Sequence, residues 1–402
     1  MTREQADART AERKHRMERR NQREQRELES REMAKGPMDM PFMLLVLLLT
    51  GIGLVMLFSA SFPSAYYKIG KPTYYLTRQG VFAVMGIAVM ILVSRINYQR
   101  FRGLAKPLLA LSVMLLMLVL VPHVGITRNN ATRWLGVGEL MTFQPSEIAK
   151  MAVVLYFADT ISKKKDKMRT FRYGILPYAF IMGAISVLML LEPHLSGTVL
   201  ILATGAVMML VGGIGWRWVL GVLGCAGAGV FLLMSGIIKY GHSRIAMWEN
   251  PWLDARGKGY QMVQSLLAIG SGGLLGTGLG KSRQKFLFLP EEHNDFIFSI
   301  VCEELGLIGA ALIMLLFAAL ILRGYWIALH ARDRFGSLLV VGVTTLVALQ
   351  TFLNIGVVTG LLPATGISLP FFSYGGTALS LQLAEMGVVL SVSRQMKPTR
   401  AG

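Results

Sequence analysis

Long runs of apolar side chains recur along this 402-residue chain, and they constrain its fold more than any other feature. Each is about 20 residues long, enough for a helix to cross the hydrocarbon core of a bilayer. Ten are legible, at 42–61, 78–95, 104–122, 145–162, 173–191, 195–213, 217–237, 295–323, 337–358 and 376–393. Polar residues interrupt the runs that begin at 145 and 376. Composition agrees: 53% of the residues are hydrophobic, 16% are charged, and the mean hydropathy is +0.51. A soluble domain has a charged fraction near one quarter. The expected fold is an all-α polytopic membrane protein of about ten transmembrane helices.

Residues 1–40 are different material. They hold 11 Lys/Arg against 9 Asp/Glu, a net +2, which leaves +16 of the chain's +18 on the remainder. Stretches such as "ERRNQREQRELESRE" mix both signs at helical spacing, as in a solvated arm. No apolar segment with a cleavage site precedes the first run, so that run is expected to act as an uncleaved anchor. The organisation expected is a charged tail at 1–40, a membrane domain at 41–395, and a short tail at 396–402.

Basic residues orient the domain. With the first tail in the cytoplasm, the inside loops carry Arg95, Arg100 and Arg102, then "SKKKDKMRTFR" (162–172), then Arg323, Arg332 and Arg334, then Arg394 and Lys397. That is the positive-inside pattern. Both termini are then cytoplasmic, and a large extracytoplasmic loop at 238–294 separates helices 7 and 8. This loop is itself basic, with Lys239, Arg244, Arg256, Lys258, Lys281, Arg283 and Lys285. Long loops cross largely regardless of charge, but cations held outside suit an anionic ligand.

Cys225 and Cys302 fall inside expected spans, so a disulfide framework is not expected, and no metal-ligand spacing is present. "GSGGLLGTGLGKS" (270–282) imitates a nucleotide-binding loop. It has Leu275 where the motif requires glycine. It reads better as a tight re-entrant or interfacial turn packed on the helices.

Ionisable residues at membrane depth are costly and therefore informative. "FQPSEIAK" (143–150) opens the fourth run with Glu147 and Lys150 three residues apart, on one face and able to pair. "NNATRWL" (129–135) puts Arg133 beside Trp134 at the outer interface, where a guanidinium could grip a phosphate. In the eighth run, Asp295, Ser299, Cys302, Gly306 and Gly309 form a small, weakly polar stripe. Such a stripe could admit a close neighbour or line a cavity. Glu303 and Glu304 point elsewhere and need partners in the bundle. "FLPEEHNDFIF" (288–298) gathers Glu291, Glu292, His293 and Asp295 at the mouth of that run. A helix N-terminus explains one carboxylate there as a cap, but it does not explain the cluster.

Four blocks together resemble one family: "NNATRW…QPSEIAK", "GKGYQMVQSLLAIGSGGLLGTGLG", "LPEEHNDFIFSIVCEELG" and "NIGVVTGLLPATGISLPFFSYGG". They are similar to the SEDS family of bacterial cell-wall proteins (FtsW, RodA and SpoVE). The likeness spans about residues 42 to 395 and is greater to the cell-division and sporulation branch. It implies the SEDS fold and a peptidoglycan glycosyltransferase that polymerises lipid II, an undecaprenyl-diphosphate-linked disaccharide-pentapeptide. The family's essential aspartate corresponds to Asp295, with "HND" here for the family's "HTD". A larger departure is "EPHLSGT" (192–198), where His194 replaces a family aspartate and a serine is added.

The reaction joins a sugar hydroxyl to an anomeric carbon that bears a diphosphate. It needs a base, for which Asp295 is the candidate, and positive charge at the leaving group. Arg133, Lys150, Arg244 and Lys281 are candidate diphosphate contacts, and Glu147 and His293 complete the candidate substrate-binding set. A divalent cation such as Mg or Mn could assist, although no cofactor is demanded. The resemblance further implies a class B penicillin-binding protein transpeptidase and other divisome proteins as partners, with no nucleic acid. The expected location is the bacterial cytoplasmic (inner) membrane, multi-pass, with the active site on the extracytoplasmic face. Two other readings stay open, a lipid II flippase and a divisome scaffold without catalysis. A flippase should hold its polar groups near the midplane, whereas the strongest cluster here is at the outer end.

Overall fold

A computed structural model describes residues 36–128, 131–137, 141–215, 217, 218, 220, 221, 224 and 247–396. Nine of the ten expected spans are helical there. They are α1 (Met40–Ile69), α2 (Tyr74–Arg95), α3 (Phe101–Val119), α4 (Pro145–Lys164), α5 (Leu176–Leu191), α6 (Leu195–Val211), α8 (Ile297–Leu329), α9 (Arg334–Val358) and α10 (Gly376–Ser393). The expected span at 217–237 lies almost wholly outside the described residues, as do Cys225, Arg244 and the tail before residue 36. Among the described residues, seven helical segments are long and apolar enough to cross a membrane. The helix α6 is shorter, and α4 carries Glu147, Lys150 and Asp159 within its length.

Capping residues fix the starts of two helices. Asp39 caps α1, its carboxylate accepting from the Phe42 N–H at 3.0 Å, and Gly70 ends that helix with φ of 74°. Asp333 caps α9 through the Gly336 N–H at 3.0 Å. The two poles of the bundle differ. At one, Asp39 pairs with Arg323 of α8 at 2.7 Å, and its N–H donates to Ser393 at the end of α10, so the start of α1 and the end of α10 meet. At the other pole, α2, α4, α6, α8 and α10 all begin.

The core is one apolar mass centred on α9, which is buried along nearly its whole length. Small residues bring helices close to it and to one another. Along the α2–α10 seam, a Cβ on Gly86 would lie 2.6 Å from Leu383, and one on Gly387 would lie 2.6 Å from the Met90 carbonyl oxygen. Without a hydrophobic drive between helices in lipid, such close backbone approach is a main source of association.

Two parts of the fold go beyond the expectation of helices alone. Between α3 and α4 lies a small antiparallel sheet of β1 (Ile126–Arg128), β2 (Ala131–Val137) and β3 (Met141–Phe143), in the order β1-β2-β3. Its register sets Trp134 opposite Ile126 and Leu135 opposite Phe143. The basic loop expected at 238–294 is structured over its described part. It contains α7 (Tyr260–Gly272) and a glycine-rich turn packed into α8, in line with the packed turn expected at 270–282.

Candidate active site

The five helix starts and the sheet enclose a cavity of about 400 Å³. Its wall includes Asp295, His293 and Glu291 from the segment before α8, Arg133 from β2, Glu147 and Lys150 from α4, His194 and Ser196 at α6, Arg78 from α2, and Thr377 from α10. Local sequence explains the placements on α4 and β2. Pro145 starts α4, which puts Glu147 and Lys150 in its first turns, where their side chains pair at 2.7 Å. Alternation along β2 turns Arg133 toward the connection between α5 and α6, where its guanidinium donates to the backbone oxygens of Glu192 (3.2 Å) and Pro193.

Asp295 is held from several directions. Its carbonyl oxygen accepts from Asn354 Nδ2 at 2.7 Å, and the neighbouring Asn294 carbonyl oxygen accepts from Ser373 Oγ at 2.7 Å. The Tyr374 N–H donates to the His293 carbonyl oxygen at 2.9 Å. The His293 ring lies 4.5 Å from that of Tyr75, centroid to centroid, and its Nδ1 is 3.2 Å from the Glu292 carboxylate. Glu291 sits in the left-handed region with φ of 57°, a local cost that this packing sustains. Gly366 faces the Asp295 carboxylate so closely that a Cβ there would be 3.2 Å from Oδ2.

Electrostatics divides the cavity. Burial pushes the Asp295 carboxyl up to about 6, with the Glu291 carboxylate adding to the shift and Arg133 and His293 opposing it. A carboxylate in that range is ionised at neutral pH and basic enough to accept a proton. Burial raises Glu192 to about 8, against the pull of Arg133, so it carries a proton at neutral pH. Burial, then Arg133 and Lys150, lower His194 to about 3, so its ring stays neutral. Arg133 is therefore aimed by backbone oxygens, beside a glutamic acid and an imidazole that are both neutral. The α6 and α10 N-termini, neither capped by a side chain, add positive helix ends to the same wall. The result is a basic carboxylate facing a wall suited to an anion.

The sequence model of the FtsW, RodA and SpoVE proteins, described as "Cell cycle protein", matches residues 40–398. The chain belongs to the FtsW/RodA/SpoVE family. Stage V sporulation protein E of Bacillus subtilis is 43% identical over 358 residues, which cover 89% of this chain and 97% of that protein. The probable peptidoglycan glycosyltransferase FtsW of Geobacter metallireducens is 42% identical over 362 residues, covering 90% and 96%. The crystal structure of the rod shape determining protein RodA of Thermus thermophilus aligns with a TM-score of 0.67 at 30% identity, covering 90% of this chain and 99% of that one. A chain from a peptidoglycan synthase complex that coordinates polymerization and crosslinking aligns with a TM-score of 0.75 at 30% identity, covering 89% and 98%.

In this FtsW/RodA/SpoVE chain, five of the seven candidate residues line the one cavity: Asp295, Arg133, Glu147, Lys150 and His293. Lys281 does not line it. It is exposed on the glycine-rich turn, with its N–H donating to the Gly278 carbonyl oxygen at 3.0 Å. Arg244 lies outside the described residues. Sequence reasoning missed Arg78 and Gln144, whose amide meets His194 Nε2 at 3.1 Å. Nothing in their spacing marks them, because only the packing of α2 and β3 against α10 brings them in. Among the described residues no group of three or more His, Cys, Asp or Glu side chains is arranged to hold a metal ion.

Proposed function

We propose that this protein is a peptidoglycan glycosyltransferase that polymerises lipid II at the cavity around Asp295. The observation that carries the reading is the pairing of a basic, buried carboxylate with an arginine, a lysine and two helix N-termini across one cavity, in a chain of this family. Asp295 takes the proton of the acceptor sugar hydroxyl as the oxygen attacks the anomeric carbon of the donor. The bond from that carbon to the diphosphate breaks, and Arg133 and Lys150 meet the developing negative charge. Glu147 holds Lys150 in place, and His293 supports the Asp295 segment through Tyr75 and Tyr374. A single displacement inverts the anomeric carbon, and undecaprenyl diphosphate departs.

A lipid-linked sugar reaches such a site at the membrane surface. The orientation that fits the basic loops puts both termini in the cytoplasm and the cavity on the extracytoplasmic face of the inner membrane. The start of α1 and the end of α10 share one pole, which supports this arrangement. A class B penicillin-binding protein suits the role of partner, crosslinking the strands as they emerge, with other divisome proteins recruited around the pair. The similarity of the fold to a chain of a peptidoglycan synthase complex supports this.

The test is glycan polymerisation from lipid II by purified protein, with and without the penicillin-binding partner, in matched preparations of parent and Asp295→Asn. Asparagine caps a helix about as well as aspartate, so a capping role predicts full activity. A base predicts a loss on the order of 10²–10⁴ with folding and partner binding retained. Parental polymerisation by the Asn variant would sink the assignment. Lipid II movement without polymer from the parent would favour a flippase.

A further inference from the structure

The two glutamates whose spacing gave them no partner within α8, Glu303 and Glu304, find partners in the glycine-rich turn. At Gly306 the α8 backbone leaves helical geometry, with φ of 67° and ψ of −171°. Two rungs of the helix, from Leu307 to Glu303 and from Ile308 to Glu304, open there. The turn replaces them with four bonds. The N–H groups of Thr277 and Gly278 donate to the Glu303 and Glu304 carbonyl oxygens at 2.9 and 3.0 Å. Those of Leu307 and Ile308 donate to the Gly273 and Leu274 carbonyl oxygens at 2.9 and 3.2 Å. Glycine at 272, 276 and 306 lets the backbones meet, since a Cβ at any of them would fall within 2.3 Å of an atom of the opposing backbone.

A side-chain layer locks this joint. The Glu303 carboxylate accepts from the Arg283 N–H at 2.8 Å and from Ser282 Oγ. The Glu304 carboxylate accepts from Lys285 Nζ at 2.8 Å, from Ser59 Oγ of α1 at 2.7 Å, and from the Ser282 N–H at 3.3 Å. Lys285 also donates to Ser59 at 3.1 Å. Glu303, Glu304, Ser282 and Lys285 are each at most 3% exposed. Lys285 and Glu304 close a ring of chain in which Asp295 sits near the middle, ten residues after one and nine before the other. The far side of that ring is tied to the Asn354 and Ser373 side chains.

We propose that this buried network positions Asp295: the Lys285–Glu304 ion pair, anchored on Ser59 and reinforced by Glu303 and Ser282, sets the length and register of the segment that delivers the carboxylate to the cavity. Glu303, Glu304, Lys285 and Ser59 are positioning residues. They do not line the cavity, and their role rests on the reading of Asp295 as the base. Slack in the ring moves the carboxylate relative to the acceptor hydroxyl, and a misplacement of about 1 Å can cost on the order of 10²-fold in rate. Substrate contacts at Arg133 and Lys150 belong to other elements and stay in place.

The test compares parent, Glu304→Gln, and the double variant Lys285→Met with Glu304→Gln, each purified and assayed for lipid II polymerisation. Removing one partner strands a buried charge, whereas removing both is often tolerated, so the double variant decides the question. The expected result is a double variant with parental melting temperature and parental KM for lipid II. Its kcat falls by about tenfold or more, and amide exchange quickens over 286–296. Parental kcat in the double variant overturns the proposal. So does failure of the double variant to fold, which would make the network a stability element. A parent that makes no polymer in the same assay instead overturns the functional reading on which the proposal rests.

Discussion

At the residue scale, the proposed base is the carboxylate from which the pH dependence of the chemistry should follow. Asp295 ionises at about 6 in the folded protein, against an ordinary value of 3.8. With its ionised form as the proposed base, polymerisation should rise with pH through about 6 and level off above it. The stability linkage has the opposite sign. The unfolded chain ionises this group first, so its contribution to folding is full below pH 3.8 and is lost as pH rises through 6. Asp295→Asn is therefore expected to melt no lower than the parent at about pH 8 while losing the acid limb of the rate profile. A pH–rate series of the parent beside melting curves of both proteins checks this, and a flat parental profile between about pH 5 and 7 would refute it. The candidate residues were legible at this scale because an ionisable side chain beside an apolar run is expensive and stands out. Arg78 and Gln144 were not, because each sits in a setting where its type is ordinary.

At the scale of elements, the broken helix α8 matters most. Its apolar length announces a span of the membrane. The inserted turn then satisfies the backbone groups that the break at Gly306 exposes, as the interior of a bilayer demands. Gly306→Ala should strain φ at a position essentially confined to glycine, at about 1–3 kcal/mol. It also drives a Cβ to 2.3 Å from the Gly276 nitrogen. The expected outcome is a lower melting temperature together with weaker polymerisation, read on the purified variant by thermal unfolding and by product gel. An unchanged melting temperature would mean that the joint is slack. The small stripe of Ser299, Cys302 and Gly306 now has its reason, since α7 and the turn pack on it: Ser265 meets Ser299 at 2.8 Å, and Gly272 abuts the Cys302 carbonyl oxygen. The sheet that carries Arg133 was not anticipated. Its strands are three and seven residues long, too short to stand out beside helices of about twenty and more.

For the whole molecule, the decisive relation is between the two poles. One gathers Asp39, Arg323, Asp333, the start of α1 and the end of α10, and the other gathers five helix starts around the cavity. The proposed orientation predicts that a cysteine at Arg256 reacts with a membrane-impermeant reagent added to intact cells, and that one at Lys167 reacts only after lysis. Both positions are exposed. Reaction of both from the same side would break the topology.

The amino-acid sequence by itself determined that this chain is a bundle of membrane-crossing helices, roughly where nine of them lie, and which motif holds the aspartate. Those properties are local, because apolar length and turn chemistry act over about 20 residues. Tertiary structure alone decided that Arg133, Lys150, His194 and Asp295 share one cavity and that Lys281 stays out of it. It also decided that Glu303 and Glu304 meet the turn that leads to the segment carrying Asp295. These are relations between residues that are tens to hundreds of positions apart in the chain. They exist only once the helices have packed, because burial and the charges of neighbours then set what each group can do.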